Sequence, residues 1–360
     1  MKYKIVIILL LFVNIIFAQV VTIKGTVLDR KTNEPIDGAS VYFDNTTIGT
    51  ISKSDGSFNI EKDNTIKAAL VISFLGYQKV VIDNPEPNKS YKVLIEEEAF
   101  SLDEVVITDD DWPRAIKLKE FRTHFLGTTR NGKSCKILNE DELILKFNKR
   151  TKILTATAYK SLKIINRNLN YTIDYDLQEF EVTYSYVNGI SDRAYRSTFF
   201  VGTSFFQPLE TELDSKIEKR RQKAYEGSVL HFMRSLSQQK LKESGYKVFN
   251  GGFETKAEKY ITVDMIDSLD IYKISIAKDP KVVRLRNENP SINFGDRPIA
   301  PIALNILYKG NRQSRFEPNT REFYIDQKGN HFPANAISFS GDMSEGRFGN
   351  TLPLDYEIRD

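Results

Sequence analysis

The sequence holds one cysteine, three histidines and one tryptophan in 360 residues. A lone thiol, Cys135, excludes any internal disulfide, so the fold must be held by its core. Its neighbours Lys133, Ser134 and Lys136 include no histidine to activate it. Cys135 therefore reads as a small buried hydrophobe rather than a nucleophile. An excess of one charge is also missing: 51 basic and 48 acidic side chains leave a net charge of +3, part of which belongs to Lys2 and Lys4. That balance gives no reason to expect nucleic acid or an acidic membrane surface as partner. No internal repeat or low-complexity segment is present.

The motifs of common chemistries are absent as well. His124, His231 and His331 lie far apart, each followed by phenylalanine, and none belongs to a His-Glu-x-x-His helix. The compact carboxylate-and-histidine set of a catalytic zinc is thus not legible. Gly202-Thr203-Ser204-Phe205 lacks the second glycine of a nucleophile elbow, and no Gly-rich loop cradles phosphate. No catalytic residue, metal or cofactor is expected.

What is present begins with an address. Lys2 and Lys4 precede an apolar run from Ile5 to Val13, and Ile15-Ile16-Phe17-Ala18 follows Asn14. This run falls short of the roughly 20 residues a membrane span requires. It reads as a signal peptide over residues 1–18, cut after Ala18, that exports the chain and leaves no transmembrane span. No cysteine near the cut provides a lipid anchor. The expected location is the periplasm, or an outer-membrane-associated or surface position.

From Gly25 to Val81, short alternating runs are separated by turn residues. Ala39, Val41 and Phe43 share one face of a strand, and Ile66, Ala68, Leu70, Ile72 and Phe74 alternate in the same way. Asp55-Gly56, between Ile48–Ile51 and Phe58–Ile60, has the chemistry of a tight hairpin. Asp55 and Asp63 fit turns better than calcium ligation. These spacings predict a β-sandwich over residues 19–98.

The pattern Gly25-Thr26-Val27, Pro35-Ile36-Asp37-Gly38-Ala39-Ser40-Val41, Ser54-Asp55-Gly56-Ser57-Phe58 and Ile72-Ser73-Phe74-Leu75-Gly76-Tyr77 resembles the carboxypeptidase-regulatory-like domain. The resemblance implies a transthyretin-like, seven-stranded sandwich that serves as an accessory module without catalytic residues. Such domains accompany metallocarboxypeptidases and open many TonB-dependent outer-membrane receptors. Phe100 to Thr108 resembles the segment that leads from this domain into the receptor plug. The residues that follow are too few for that plug and its barrel. Asp109-Asp110-Asp111 and Trp112-Pro113 close an expected linker over 99–113.

Residues 114–360 read as an α+β domain, an antiparallel sheet with one or two packed helices. Pro113 opens a helix through Leu126 that Gly127 stops. Leu143–Phe147 and Ile153–Thr157 form a hairpin across Asn148-Lys149-Arg150. Tyr171, Ile173, Tyr175 and Leu177 alternate, the phase shifts, and Phe180, Val182, Tyr184 and Tyr186 alternate again before Asn188-Gly189 turns the chain. Tyr171, Tyr175, Tyr184 and Tyr186 would stack sugars if exposed, but aromatics in a half-buried sheet are expected to be core. Short charged strands around a polar helix argue against a small membrane barrel. A helix over about 216–243 is expected, with Ser215 and Glu218 as a capping box and Gly227-Ser228 as a point where it splits. Further strands are expected over 260–263, 271–276, 282–285, 321–325 and 336–339, the last two joined by a loop over 326–330.

Two segments, Arg220 to Leu236 and Leu352 to Glu357, resemble stretches of bacterial envelope proteins that carry the same first domain. In an unbroken helix Arg220, Ala224, Gly227, His231 and Arg234 line one face. With Tyr225 they make a candidate ligand site, a hollow between two guanidinium groups and an imidazole suited to a small anion or a glycan. The competing reading has the glycine admitting the helix to the sheet while the arginines pair with carboxylates. The expected function is non-enzymatic binding in the cell envelope, with an envelope or outer-membrane protein or a surface ligand as partner. Two alternatives remain. One is a hydrolase of envelope peptide or glycan centred on His231; the other is an accessory subunit of a TonB-dependent outer-membrane transporter.

Overall fold

The computed structural model describes residues 20–98, 112–210, 214–279, 281, 283 and 300–358. The expected signal peptide, most of the expected linker and most of the expected strand over 282–285 lie outside these residues. The described part is mainly β: open sheets, most of them antiparallel, with a few short helices and no sheet that closes into a barrel.

Alternation builds the first unit. Strand β1 (Val20–Asp29) buries Ile23 and Val27 on one face, and β2 (Ser40–Phe43), β3 (Gly49–Ile51), β4 (Ser57–Asp63), β5 (Leu70–Ser73), β6 (Val80–Ile82) and β7 (Ser90–Ile95) follow. They form two sheets, β4-β1-β7 and β3-β2-β5-β6, around a shared core. These are the seven strands of the implied sandwich. The Asp55-Gly56 turn departs from expectation. Gly56 has the positive φ of +74° that the turn demands, but the turn is no hairpin. β3 pairs with β2 while β4 pairs with β1, so the chain crosses here from one sheet to the other.

The second unit is a six-stranded sheet of β8 (Cys135–Ile137), β9 (Leu143–Asn148), β10 (Ile153–Ala158), β11 (Leu162–Asn166), β12 (Tyr171–Asn188) and β13 (Asp192–Pro208), in the order β8-β11-β12-β10-β9 with β13 on β12. The phase shift in the tyrosine pattern is a bulge: the register slips between Leu177 and Glu179. Tyr171, Tyr175 and Tyr184 are buried and only Tyr186 is exposed, so this face is core. Helix α1 (Arg114–Phe125) lays Phe121 and Phe125 on the sheet, and the short α2 (Arg130–Ser134) follows it. Trp112, which closes the expected linker, is buried and stacks on Phe147 with ring centroids 3.9 Å apart.

The expected long helix is two. α3 (Ser215–Tyr225) ends at Gly227, whose φ is +73°, and Ser228 caps α4 (Val229–Ser237) by accepting the His231 N–H. The N-cap of α3 is Asp214, which accepts the Lys216 N–H in place of the expected Ser215 box. α4 packs Phe232, Met233 and Leu236 into a further core, each burial contributing roughly 2 kcal/mol as an upper bound. That core is shared by two sheets. One combines β14 (Tyr246–Asn250), β15 (Phe253–Thr255), β18 (Leu304–Tyr308), β19 (Arg312–Pro318) and β22 (Ile337–Gly341). The other combines β16 (Ile261–Ile266), β17 (Ile271–Ile276), β20 (Glu322–Asp326) and β21 (His331–Phe332). The loop over 326–330 is a hairpin, but it joins β20 to the two-residue β21. The strand at 337–341 instead pairs with β19. A one-turn helix α5 (Asp342–Glu345) then leads into the closing segment.

Candidate functional site

The units meet around one short loop of the sandwich, Asp44-Asn45-Thr46-Thr47, between β2 and β3. From the second unit, β13 reaches it. The Ser204 N–H donates to Asp44 Oδ1 at 2.7 Å, the Asn45 N–H to Ser204 O at 2.7 Å, and the Phe206 N–H to Thr46 O at 3.0 Å. Phe205 stacks on Tyr42 at 5.0 Å. The closing segment arrives from the other side. The Leu354 N–H donates to Asn45 O at 2.7 Å, and the Leu354 side chain lies in the sandwich core. The Asp355 carboxylate accepts the Thr47 N–H at 2.9 Å and the Thr47 hydroxyl. A second joint is Asp326, fully buried, which accepts the N–H groups of Lys67, Lys328 and Asn330. Burial pushes its pKa up.

Arg234 ties this joint to α4. Its guanidinium donates to Lys328 O at 2.8 Å, Tyr356 O at 2.9 Å and Leu354 O at 2.8 Å. A fork of fixed N–H directions is what holding three carbonyls at once requires. The two segments singled out in the sequence, Arg220 to Leu236 and Leu352 to Glu357, therefore touch. Tyr225 packs against Tyr356 at 5.6 Å, and Arg234 lies 5.4 Å from the Tyr225 ring.

The hollow expected between Arg220, His231 and Arg234 is not formed, because the helix breaks at Gly227. Arg220 donates from Nε to Asn168 O at 2.6 Å, a carbonyl that Arg234 does not share. Arg221, which sequence reasoning passed over, is the buried one: it donates to Leu169 O and Asn170 O and covers the Tyr171 ring at 4.0 Å. Its signal was its place among Ile217, Ala224 and Tyr225 on the buried face of α3. His231 sits among Tyr225, Tyr246 and Tyr308. Its Nδ1 accepts the Gly227 N–H at 3.0 Å and lies 3.0 Å from the Tyr246 hydroxyl. Burial lowers its pKa to about 4, so the ring is neutral. The nearby carboxylate, Glu226, pairs with Lys309 at 2.7 Å. Among the described residues His231 has no hydrogen bond or ion pair with a carboxylate.

A cleft of about 570 Å³ opens beside the joint. Tyr171, Glu218, Arg221, Asp355, Tyr356 and Glu357 line it, with Thr47 of the sandwich at its edge. Carboxylates outnumber cations here, and aromatic faces sit next to hydrogen-bonding groups. Such a lining suits a neutral polar ligand or a basic one better than an anion.

Asp44 gives the joint a pH dependence. Burial raises its pKa from 3.8 to about 6, against the pull of the Ser204 and Asn45 N–H groups. The folded state thus holds this proton more tightly than the unfolded chain. The stability Asp44 contributes is complete below pH 3.8 and declines until about pH 6, by at most about 3 kcal/mol. Asp44→Asn keeps an acceptor for Ser204 and removes the ionisation. Between pH 4 and 7, urea denaturation should show the wild type losing stability relative to the variant by about 2 kcal/mol. Parallel curves would overturn the assignment.

Comparison with known proteins bears on the first unit. Residues 23–107 match the sequence model of the CarboxypepD_reg-like domain family. The TonB-dependent receptor SusC of Bacteroides thetaiotaomicron is 39% identical over 92 residues, which make up 25% of this chain and 8% of that receptor. The N-terminal unit is thus a carboxypeptidase-regulatory-like domain similar to a segment of a TonB-dependent receptor. The described residues carry no receptor barrel. Among solved structures, a candidate carbohydrate-binding protein from Bacteroides uniformis aligns at 8% identity over 50% of this chain and 98% of that one, with a TM-score of 0.17. A 9R-lipoxygenase from Cyanothece PCC8801 aligns at 9% identity over 61% and 48%, with the same TM-score of 0.17. At that level neither likeness carries an argument. Among the described residues no helix is long and apolar enough to cross a membrane, and no group of three or more His, Cys, Asp or Glu is placed to hold a metal ion.

Proposed function

We propose that this protein is a non-enzymatic binding and accessory protein of the bacterial cell envelope. In this reading the receptor-like sandwich and the units behind it form one body, and the cleft at their joint takes a polar surface ligand or a segment of a partner protein. The observation that carries it is the joint itself. Leu354 enters the sandwich core and Asp355 closes on Thr47, so the accessory domain is built into the rest of the chain. Arg220, Arg234 and His231, the candidates for chemistry, hold backbone instead. The similarity to a receptor segment favours a second, narrower reading, an accessory subunit of a TonB-dependent outer-membrane transporter.

Deleting the sandwich would strip Leu354 of its core, so the test keeps the chain whole. A photo-crosslinking residue is placed at Leu75, which is 79% exposed, or at Ile358 beside the cleft. Crosslinking in intact envelopes should capture one recurrent envelope protein or glycan, and a barrel protein would select the narrower reading. Diffuse capture, together with turnover of envelope peptide or glycan that His231→Ala abolishes, would replace binding with the hydrolase reading.

A further inference from the structure

A second cavity, of about 400 Å³, is lined by residues of all three cores. It is separate from the cleft beside Tyr171 and Tyr356, and its polar lining has the opposite sign. Arg312 of β19, Arg347 after α5 and His331 of β21 line it, together with Asn45 and Asn350. Phe200, Leu230 and Leu352 provide apolar wall.

Four features of these residues point to a ligand. Arg312 is fixed in place: Nε donates to Asp342 Oδ2 at 2.6 Å and Nη1 to Glu226 O at 2.5 Å, which leaves Nη2 outside both bonds. Arg347 donates from Nη2 to the Tyr195 hydroxyl at 2.9 Å and has no carboxylate partner among the described residues. The one acid in the lining, Asp342, already pairs with Arg312. His331 has no side-chain hydrogen bond among the described residues, and burial holds its pKa near 4, so at neutral pH the ring offers one N–H without adding charge. Asn45 and Asn350 use their oxygens as acceptors, from Ser204 and Thr129, which turns their amide NH₂ groups into the available ends.

We propose that this cavity binds a small organic anion through one carboxylate, with Arg347 as its counter-charge, Arg312, His331 and the two asparagines as hydrogen-bond donors, and the apolar wall holding the body of the ligand. A guanidinium matches a planar carboxylate with two parallel bonds. The volume admits a molecule the size of a sugar acid. The sequence suggested two guanidinium groups and an imidazole around an anion on a single helix face; the fold assembles that chemistry from other residues, far apart along the chain.

The test uses the full chain and titrates glucuronate, with glucose as the neutral counterpart and inorganic sulfate and phosphate as alternative anions. Isothermal calorimetry and thermal shift are read at pH 7 in low salt. The expected result is saturable binding of glucuronate, none of glucose, and at least tenfold weaker binding in Arg347→Gln. Arg347→Lys should recover part of the affinity, which shows that a folded variant is being read. Saturation by sulfate or phosphate but not by glucuronate would overturn the carboxylate assignment. Absence of saturable binding by any of the anions, or equal affinity in wild type and Arg347→Gln, would overturn the site.

Discussion

Replacing Arg234 by alanine is expected to cost about 4 kcal/mol of folding stability and to release the segment Leu352–Glu357. The side chain is 7% exposed and its guanidinium serves three carbonyls, those of Lys328, Leu354 and Tyr356. Hydrogen bonds from a charged donor are worth about 1.5–3 kcal/mol each, and carbonyls left buried without partners add their desolvation penalty. The three bonds act as one clamp, so their losses do not simply add. Arg234→Lys tests the geometry, because one ammonium on a flexible stem cannot meet three acceptors in a fixed fork. It should recover less than half of the loss. Urea denaturation gives the stability, and limited proteolysis followed by mass spectrometry gives the release, as early cleavage after residue 350. A loss below about 1 kcal/mol, or a lysine variant equal to wild type, would refute the clamp.

Glu120→Gln should destabilise the second unit by about 3 kcal/mol at neutral pH and much less in acid. Glu120 is buried on α1 and accepts from Tyr184 at 2.7 Å and from Arg193 at 2.6 Å, with His124 at 3.6 Å. Burial raises its pKa, but the hydrogen bonds from His124, Arg193 and Tyr184 outweigh it and bring the value down from 4.5 to about 2. The stability this carboxylate contributes is fully present above pH 4.5 and is lost as pH falls through about 2. That shift corresponds to about 3 kcal/mol, which agrees with the cost of breaking one side of a buried pair, about 3–5 kcal/mol. The variant leaves Arg193 beneath Trp112, 5.2 Å from its ring, without a counter-charge. Urea denaturation at pH 7 and pH 3 should show the gap between variant and wild type narrowing to about half. A gap of equal size at both pH values would mean that the loss is steric rather than electrostatic. Glu120 and Asp44 thus act on stability in opposite directions across the acid range: one carboxylate is stabilised as the anion by donors, the other is disfavoured as the anion by burial.

Much of the local structure was readable from residue order. A sandwich over residues 19–98 follows from period-two alternation between turn residues, and its seven strands are the number the family resemblance implied. The Asn148 loop forms the expected hairpin, with Asn148 Oδ1 accepting the N–H groups of Arg150 and Thr151. The break at Gly227 and the cap at Ser228 were visible because a positive φ and a helix cap each depend on one or two residues. The misreadings share a cause. Asp55-Gly56 has hairpin chemistry, but its second arm, β4, pairs with β1, more than 30 residues earlier in the chain, and not with β3. The loop over 326–330 failed in the same way when β22 joined β19 instead of β20.

The candidate site shows the division most sharply. Alternation, turn chemistry and capping told of a β-sandwich, an aromatic sheet and a long helix with a splitting point at Gly227-Ser228, because each of those signals acts over a few residues. Resemblance to bacterial envelope proteins marked the segments Arg220 to Leu236 and Leu352 to Glu357. What those segments do was decided in three dimensions. Arg234 found three backbone carbonyls, Leu354 entered the core of a domain some 300 residues earlier in the chain, and Arg312, Arg347 and His331 came to share one cavity. Burial and partnership set whether an arginine is a staple or a binding group and whether a histidine is neutral. Both are properties of the packed neighbourhood, and no local pattern in the chain carries them.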